Sequence, residues 1–448
     1  ITTDGTNGVL LWPSLDDKLY AFGTPEGGCG VNCDLASVEW PAFQRNAAHA
    51  PGEQGGGGAN IRKTRQFTAI GATRPAVADA SNIYFVAGQY LYARNKNTDA
   101  FAWGTVGGLE KKYNLGLAVT AGFYAMPVLA TDGANTILYV GGSDGNLHAV
   151  NTATGDLIWK TDVGNNISKA SPIVSDDSGF ILVVEDNVAP ANDRLIALDS
   201  TGTVVWSQPI GNSSGTSSPA IDAKSAGIGD DTVLVGGGLL VGGGGGGLYA
   251  FDLQTGAPEA GFPTNYGLVA PASPLTNGSP VVFNAVDNDL DGYYVVSTNG
   301  TLWRVTFGGA VNNLGDADGA AAGGKSAAPL ILESGGSANI FFGLANKLYK
   351  VTYDGVTPPA APTSSTLGGV LGDSTPLAGN GHIYIGSTDM KFYSINQAAP
   401  PLTATPVLTY TASLAGSGAF MDADHVVWPA QDGKQLVFAD GVGNSGST

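Results

Sequence analysis

Residues 137–159 read Ile-Leu-Tyr-Val-Gly-Gly-Ser-Asp-Gly-Asn-Leu-His-Ala-Val-Asn-Thr-Ala-Thr-Gly-Asp-Leu-Ile-Trp. An apolar run is followed by a Gly/Asp turn, a second alternating run, a Thr-Gly turn and a short run that carries Trp159. Alternation with a period of two predicts strands, and Gly beside Asn or Asp predicts tight turns between them. The stretch therefore predicts three antiparallel strands in succession.

The second of these strands recurs along the whole chain. The first residues of consecutive copies are 44 to 72 positions apart, and a loose period of about fifty fits units of four short strands. The nine copies are Leu19-Tyr-Ala-Phe, Leu91-Tyr-Ala-Arg, Leu147-His-Ala-Val, Leu195-Ile-Ala-Leu, Leu248-Tyr-Ala-Phe, Leu302-Trp-Arg-Val, Leu348-Tyr-Lys-Val, Phe392-Tyr-Ser-Ile and Leu436-Val-Phe-Ala.

Two further features recur with the same period. Trp103, Trp159 and Trp206 follow the first residues of their copies by 12, 12 and 11 positions, which predicts one recurring pocket for the indole. A further strand precedes each unit and is commonly opened by a small residue and proline, which loses no needed hydrogen bond at a strand's first position. These pairs are Arg74-Pro75, Met126-Pro127, Ser171-Pro172, Ser218-Pro219, Ser279-Pro280, Ala328-Pro329 and Thr375-Pro376.

Composition agrees with an almost entirely β chain and excludes other classes. The 67 glycines among 448 residues indicate many tight turns. A hydrophobic fraction of 43% is too high for a disordered chain. The 38 acidic and 20 basic residues give a formal charge of −18, so a nucleic-acid partner is excluded by repulsion of the phosphates.

Four-stranded sheets repeated around an axis form a β-propeller. The Leu-Tyr-Ala-Phe, Thr-Gly and Trp pattern resembles the quinoprotein-like, or pyrroloquinoline-quinone-like, repeat family. This resemblance implies an all-β propeller, typically with eight blades. The same repeat serves enzymes, scaffolds and adhesins, so it implies the fold more specifically than the function.

The terminal segments predict how the ring closes. Nine Leu-Tyr-Ala strands occur with eight outer and eight inner strands, so the N-terminus lacks an inner strand and the C-terminus an outer one. We predict an extra N-terminal hairpin and Cys loop over residues 1–37. Residues 38–448 then form one propeller in which Val38–Phe43 supplies the outer strand for the blade of Ser417–Ala439. For the ring itself we predict eight four-stranded blades; the alternatives are nine blades, or eight blades plus the extra N-terminal hairpin.

Cysteine usage predicts an extracytoplasmic protein, at the cell surface, in the periplasm or secreted. Cys29 and Cys33 lie in a Gly-rich loop, where a disulfide would indicate an oxidising compartment; free thiols or half of a metal site are the alternatives. A start at Ile1 suggests a processed or partial chain. The uncharged stretch Thr232–Phe251 is long enough for a bilayer, but its nine glycines favour two strands around a loop. We therefore expect no transmembrane segment.

The strongest polar motif is Asp287-Asn-Asp289-Leu-Asp291-Gly. Three carboxylates at alternate positions can supply oxygen ligands to Ca²⁺. An EF-hand is excluded because position 298 is Thr and strands flank the loop. This segment resembles the calcium-loop blade of propeller tip adhesins of type IV pili, as the segment around His148 resembles another of their blades. A solvated acidic turn is the alternative.

Other motif matches do not fit their structural context. Residues 319–326 match the phosphate-binding loop, yet a strand rather than a helix follows. Residues 141–145 and 211–215 match the hydrolase nucleophile elbow but fall in turns of the repeat. His148 takes the place of a repeat Tyr, which favours packing over catalysis. The sequence therefore predicts no catalytic residue.

These observations predict a non-catalytic binding or scaffold protein that contacts other proteins, or copies of itself, through propeller loops and edges. Quinone-dependent dehydrogenases of the family carry adjacent cysteines, which this chain lacks, so no quinone is expected; calcium is the expected cofactor. A quinoprotein oxidoreductase and a calcium-dependent adhesin are the alternatives.

Overall fold

The fold is almost entirely β. Its only helix within the described residues is one 3-10 turn at Asn288–Leu290, and no described helix is long and apolar enough to cross a bilayer. The computed structural model describes residues 9–13, 18–23, 65–68, 76–95, 98, 100–116, 125–132, 135–175, 179–187, 192–211, 217–222, 231–238, 247–262, 278–283, 288–297, 300–316, 328–334, 336–356, 359–369, 371, 375–379, 382–389, 391–397, 404–409, 419–422, 425–430 and 435–440.

These ranges contain six four-stranded and three three-stranded antiparallel sheets, together with one small hairpin inserted in the second sheet. The first sheet is β1 (Val9–Pro13), β2 (Lys18–Gly23) and β3 (Arg65–Thr68). The second is β4 (Val77–Ala78), β5 (Asn82–Ala87), β6 (Tyr90–Asn95) and β9 (Tyr113–Asn114), with the hairpin β7 (Thr105–Val106) and β8 (Leu109–Glu110) between β6 and β9. The third is β10 (Val128–Asp132), β11 (Asn135–Gly141), β12 (Asn146–Asn151) and β13 (Leu157–Asp162).

The remaining sheets repeat this order. The fourth is β14 (Ile173–Val174), β15 (Ile181–Glu185), β16 (Asp193–Leu198) and β17 (Val204–Gly211); the fifth is β18 (Ala220–Asp222), β19 (Thr232–Gly237) and β20 (Gly247–Asp252). The sixth is β21 (Val281–Phe283), β22 (Gly292–Val296), β23 (Thr301–Val305) and β24 (Val311–Asp316); the seventh is β25 (Leu330–Ser334), β26 (Ser337–Leu344), β27 (Lys347–Tyr353) and β28 (Thr363–Thr366). The eighth is β29 (Leu377–Gly379), β30 (His382–Gly386), β31 (Lys391–Asn396) and β32 (Ala404–Thr409), and the ninth is β33 (Ala419–Asp422), β34 (His425–Ala430) and β35 (Gln435–Asp440).

The strands follow the predicted repeat. All nine Leu-Tyr-Ala segments lie in strands, and the described repeat prolines come directly before the first strand of their sheets. The uncharged stretch Thr232–Phe251 contains the antiparallel pair β19 and β20, which confirms two strands there.

The core lies between the sheets. Within the described residues, four clusters of buried apolar side chains each combine residues from two consecutive sheets, from the third-and-fourth pair to the sixth-and-seventh pair. Leu147 and Ala149, for example, pack with Ile181 and Val183 of the next sheet. Face-to-face burial of successive sheets is what a propeller requires.

The three repeat tryptophans confirm the recurring pocket. Trp206 Nε1 donates to the Leu253 carbonyl at 2.9 Å, and its ring lies against Gly256. Trp159 makes the same contacts with the Ser200 carbonyl and Gly202, and Trp103 with the Thr152 carbonyl and Gly155. Trp159 and Trp206 therefore hold the outer strand of one sheet against the Thr-Gly turn of the next, and Trp103 does the same from the segment between β6 and β7.

A ladder of buried hydrogen bonds joins the inner strands. In three successive sheets, the residue before the repeat proline donates its backbone N–H to the Ser hydroxyl at the same position in the next sheet: Met126 to Ser171 at 2.9 Å, Ser171 to Ser218 at 3.0 Å, and Ser218 to Ser279 at 3.0 Å. A serine before proline therefore accepts a hydrogen bond from the preceding sheet, in addition to being small enough to pack at this position.

The contacts between sheets fit a closed ring. Inner strand β33 contacts β4, so the ninth sheet lies beside the second, and eight sheets fit this ring. In the first sheet, β1 contacts β34 and β35 of the ninth sheet, and β2 contacts β35. Residues 24–64 are outside the described residues, so the division at residue 38 and the outer strand at Val38–Phe43 stay predictions.

Candidate functional site

The topology gives the propeller two distinct faces. In an antiparallel sheet, the turns after the first and third strands lie at one end and the turn after the second strand lies at the other. We call these ends the odd-turn face and the even-turn face. The Trp–Gly contacts, between the turn after a third strand and the neighbouring outer strand, lie at the odd-turn face.

The predicted calcium loop also belongs to the odd-turn face, between β21 and β22. Asp289 is exposed within the 3-10 turn and Asp291 is half-buried after it; Asp287 lies outside the described residues. Within the described part of the chain, no group of three acidic, His or Cys side chains is close enough to hold a metal. The calcium site therefore stays a prediction that depends on Asp287.

Backbone oxygens of this loop already have partners. The buried Arg304 donates to the Asp291 carbonyl from Nη2 at 2.6 Å and from Nε at 3.1 Å. The Tyr294 hydroxyl donates to the Leu290 carbonyl at 2.6 Å. A cation here would thus be bound by the carboxylates rather than by these two carbonyls, and the guanidinium would oppose it.

The remaining motif residues are placed as follows. Cys29, Cys33 and the phosphate-loop match at 319–326 lie outside the described residues. The elbow match at 141–145 is the turn between β11 and β12, so its predicted turn position is confirmed.

His148 is a buried side chain at the interface between the second and third sheets. Its exposed fraction is 2%, its Nδ1 lies 3.0 Å from the Tyr113 hydroxyl, and its Nε2 has no hydrogen-bond partner. Burial lowers the pKa of the imidazole, and the charge of Lys160 acts in the same direction while that of Asp144 opposes it. The neutral His148 imidazole packs against Tyr113, which agrees with the packing role predicted from its position in the repeat.

The even-turn face carries a buried polar network that the sequence did not reveal. Glu185 ends β15 with its carboxylate fully buried and paired with Arg194. Its Oε1 accepts the backbone N–H of Asn165 at 2.7 Å, and its Oε2 accepts Asn187 Nδ2 at 3.1 Å. Burial alone would raise the pKa of this carboxyl, but the hydrogen bonds from Arg194 and Asn165 outweigh burial and lower it.

This network joins the turn between β15 and β16 to the connection before β14. Its groups satisfy one another, so it orders two loops at the junction of the third and fourth sheets. The only sequence signal was an ionisable residue ending the apolar run Ile181–Glu185.

Repeated four-stranded sheets, a core between the sheets and a ring of inner strands define a β-propeller. A family model described as "Outer membrane protein assembly factor BamB" matches residues 87–318, which is more than half of the chain. The chain therefore belongs to this family of pyrroloquinoline-quinone-like repeat propellers.

Solved structures share the fold at low sequence identity. BamB from Moraxella catarrhalis is 17% identical, with a TM-score of 0.54, over 82% of this chain and 96% of that one. Quinohemoprotein alcohol dehydrogenase from Comamonas testosteroni is 12% identical, with a TM-score of 0.57, over 93% and 82%. The Dos1 propeller is 15% identical, with a TM-score of 0.52, over 82% and 93%. A comparison with curated protein sequences gave no match.

Proposed function

We propose that this protein is a non-catalytic scaffold of an extracytoplasmic assembly, and that it binds other proteins through propeller loops and sheet edges. The observation that carries this proposal is the match of residues 87–318 to a family whose description names an assembly factor of outer membrane proteins.

Site-directed photo-cross-linking in the source cell tests this function. A photoreactive residue is placed at four positions distributed over the propeller: Leu109, Lys160, Val356 and Lys391. We expect at least one position to give a discrete adduct with the same partner protein in repeated experiments. The absence of a discrete protein adduct at all four positions would contradict a scaffold role.

The structural likeness to a quinohemoprotein dehydrogenase favours one alternative, an oxidoreductase. Reconstitution with pyrroloquinoline quinone and Ca²⁺, followed by absorption spectra and alcohol-dependent dye reduction, separates the two functions. We expect neither stoichiometric quinone binding nor turnover. Both together would establish the enzyme and overturn the scaffold.

We propose calcium at Asp287, Asp289 and Asp291 as the cofactor, and the exposed carboxylate of Asp289 supports this. Calcium calorimetry and thermal denaturation with excess chelator test it. We expect the chelator to lower the melting temperature of the wild type but not of Asp289→Asn, while Glu333→Gln, at an exposed acid elsewhere on the odd-turn face, keeps the chelator effect. A wild type indifferent to the chelator would remove calcium from the proposal.

A further inference from the structure

In the part of the chain that the structure describes, the exposed large apolar side chains are confined to one face of the propeller. Among the described residues, nine large apolar side chains are exposed, and all nine lie at the odd-turn face. Two of them, Phe307 and Val356, belong to the sixth and seventh sheets. The other seven lie on the consecutive second, third and fourth sheets, and we call them the apolar rim: Phe101, Val106, Leu109, Leu157, Ile158, Val204 and Val205.

Packing does not require apolar residues at these positions. Val106 and Leu109 face each other across the β7–β8 hairpin with exposed fractions of 65% and 76%. In β13, Ile158 precedes the docked Trp159, at a point where the register with β12 shifts. The corresponding position in the fifth sheet holds the charged Glu259, whose N–H donates to the Ala250 carbonyl. An exposed apolar surface that the fold does not need is typical of an interaction site.

The backbone of the rim is also available for pairing. β13 and β17 are the last strands of their sheets within the described residues, so one edge of each forms no ladder there. An extended segment of another chain can add to such an edge and place alternate side chains against the sheet's apolar residues.

The odd-turn face as a whole is acidic. Four basic side chains there are engaged, Arg94 with Glu110, Lys111 with Asp156, Arg304 with the Asp291 carbonyl and Lys350 with the Gln397 carbonyl, and Lys160 of β13 is exposed beside the rim. Against these five stand eleven acidic residues that are exposed or half-buried, seven on the second to fifth sheets and four on the sixth and seventh, namely Asp79, Glu110, Asp156, Asp199, Asp231, Asp252, Glu259, Asp289, Asp291, Glu333 and Asp354. This charge attracts cationic partners and repels anionic lipid headgroups.

We infer that the apolar rim binds an extended polypeptide segment of a partner protein, with apolar side chains next to Lys or Arg. The inference rests on the proposed scaffold function and assigns it a surface and a partner chemistry. The apolar side chains of the segment cover the rim, and its cations are attracted by the surrounding carboxylates.

Peptide binding to the full chain tests this inference. The probe is a synthetic peptide of alternating Leu and Lys, compared with peptides in which Glu replaces Lys or Ser replaces Leu. The rim variant is Leu109→Ser/Ile158→Ser/Val205→Ser, and the control is Val356→Ser, which removes an apolar side chain of 74% exposure outside the rim. Circular dichroism and melting temperature confirm that both variants fold.

We expect the Leu/Lys peptide to bind the wild type and the control equally, and the rim variant about tenfold more weakly or worse. Raising the salt from about 0.05 M to about 0.5 M should weaken binding, because the attraction is screened. The Glu and Ser peptides should not bind.

Three results would overturn the inference: no binding of the Leu/Lys peptide, equal binding to the rim variant, or equal binding of the Glu peptide. Anionic vesicles that displace the Leu/Lys peptide from the wild type would instead identify a membrane-binding surface. If peptide binding fails while cross-links form at Val356 or Lys391, the rim assignment alone is wrong. If cross-links fail everywhere, the scaffold function fails as well.

Discussion

The sheets of residues 76–262 and those of residues 278–397 are joined in different ways. In the first region, three successive junctions use one arrangement, a Trp ring against a Gly and an indole N–H bonded to a turn carbonyl. In the second region, the described junctions each use different groups. Lys350 donates to the Gln397 carbonyl, and Asp289 lies against Gly355 of the next sheet.

This difference shows which part of the repeat the fold needs. Both regions keep the antiparallel order of consecutive strands, three or four of them described in each sheet, and the buried faces between sheets, so these features are sufficient for neighbouring sheets to pack. The Trp–Gly contact is one solution for fixing the outer strand, and the second region replaces it. We expect the first region to depend strongly on the indole.

The largest effect is expected from Trp206→Ala. The indole is 8% exposed and packs in the cluster of the fourth and fifth sheets, so truncation should lower the free energy of unfolding by about 3–5 kcal/mol. Chemical denaturation measures this, with the exposed Val356→Ala as control. A loss no larger than that of the control would show that the tryptophan is dispensable, as it is in the second region.

Gly202→Ala tests the other half of the contact. A Cβ at this position would lie 2.7 Å from a Trp159 ring carbon, and φ is 84°. We expect a loss of about 2–4 kcal/mol, from strained backbone and overpacking together. Gly179→Ala separates the two causes, because φ there is 69° and a Cβ would meet nothing within 4 Å. Equal losses in both variants would mean that contact with the indole contributes nothing.

The inner ladder crosses from one region into the other, and Ser218→Ala and Ser279→Ala compare its steps. Each change leaves one buried N–H without its acceptor, that of Ser171 or of Ser218. Such a group costs about 1–3 kcal/mol. Denaturation should show similar losses for both, and almost none for Ser200→Ala, which is exposed. A loss confined to Ser218→Ala would mean that the inner strands, too, differ between the regions.

The smallest effect is expected from His148, which lies buried beside Tyr113 at the junction of the second and third sheets. Because burial lowers the pKa of this imidazole, the unfolded chain binds the proton more readily than the folded one. The free energy of unfolding should therefore fall as the pH decreases below about 6.5, the ordinary histidine value. Denaturation at pH 7.5 and pH 5 compares wild type with His148→Asn, which keeps a polar group near Tyr113 but does not titrate. Identical pH dependence in both would contradict this role.

Features with a short period were predictable from the sequence. The Leu-Tyr-Ala strands, the turn glycines, the prolines before inner strands and the indole pocket all depend on local alternation or on a constant offset. The structure confirms them because each unit buries the same faces.

Contacts whose sequence separation does not recur from one repeat unit to the next were not predictable from the sequence. The Arg304 bond to the Asp291 carbonyl depends on a backbone oxygen, which carries no residue-specific signal. The pairing of Glu185 with Asn165 needs two loops twenty residues apart to meet at one face. The Ser218 hydroxyl accepts the Ser171 N–H, and this role was not predictable because its small size alone accounts for a serine before proline.

The direction of the inner ladder has an evolutionary consequence. Ser171 and Ser218 each give one hydrogen bond to the following unit and receive one from the preceding unit, always in the same sense. A gene segment encoding one such unit brings its own donor and its own acceptor. Duplication or deletion of a whole unit of this kind therefore leaves no unpaired donor or acceptor among the inner strands. The number of such units can change without compensating substitutions in the adjacent sheets.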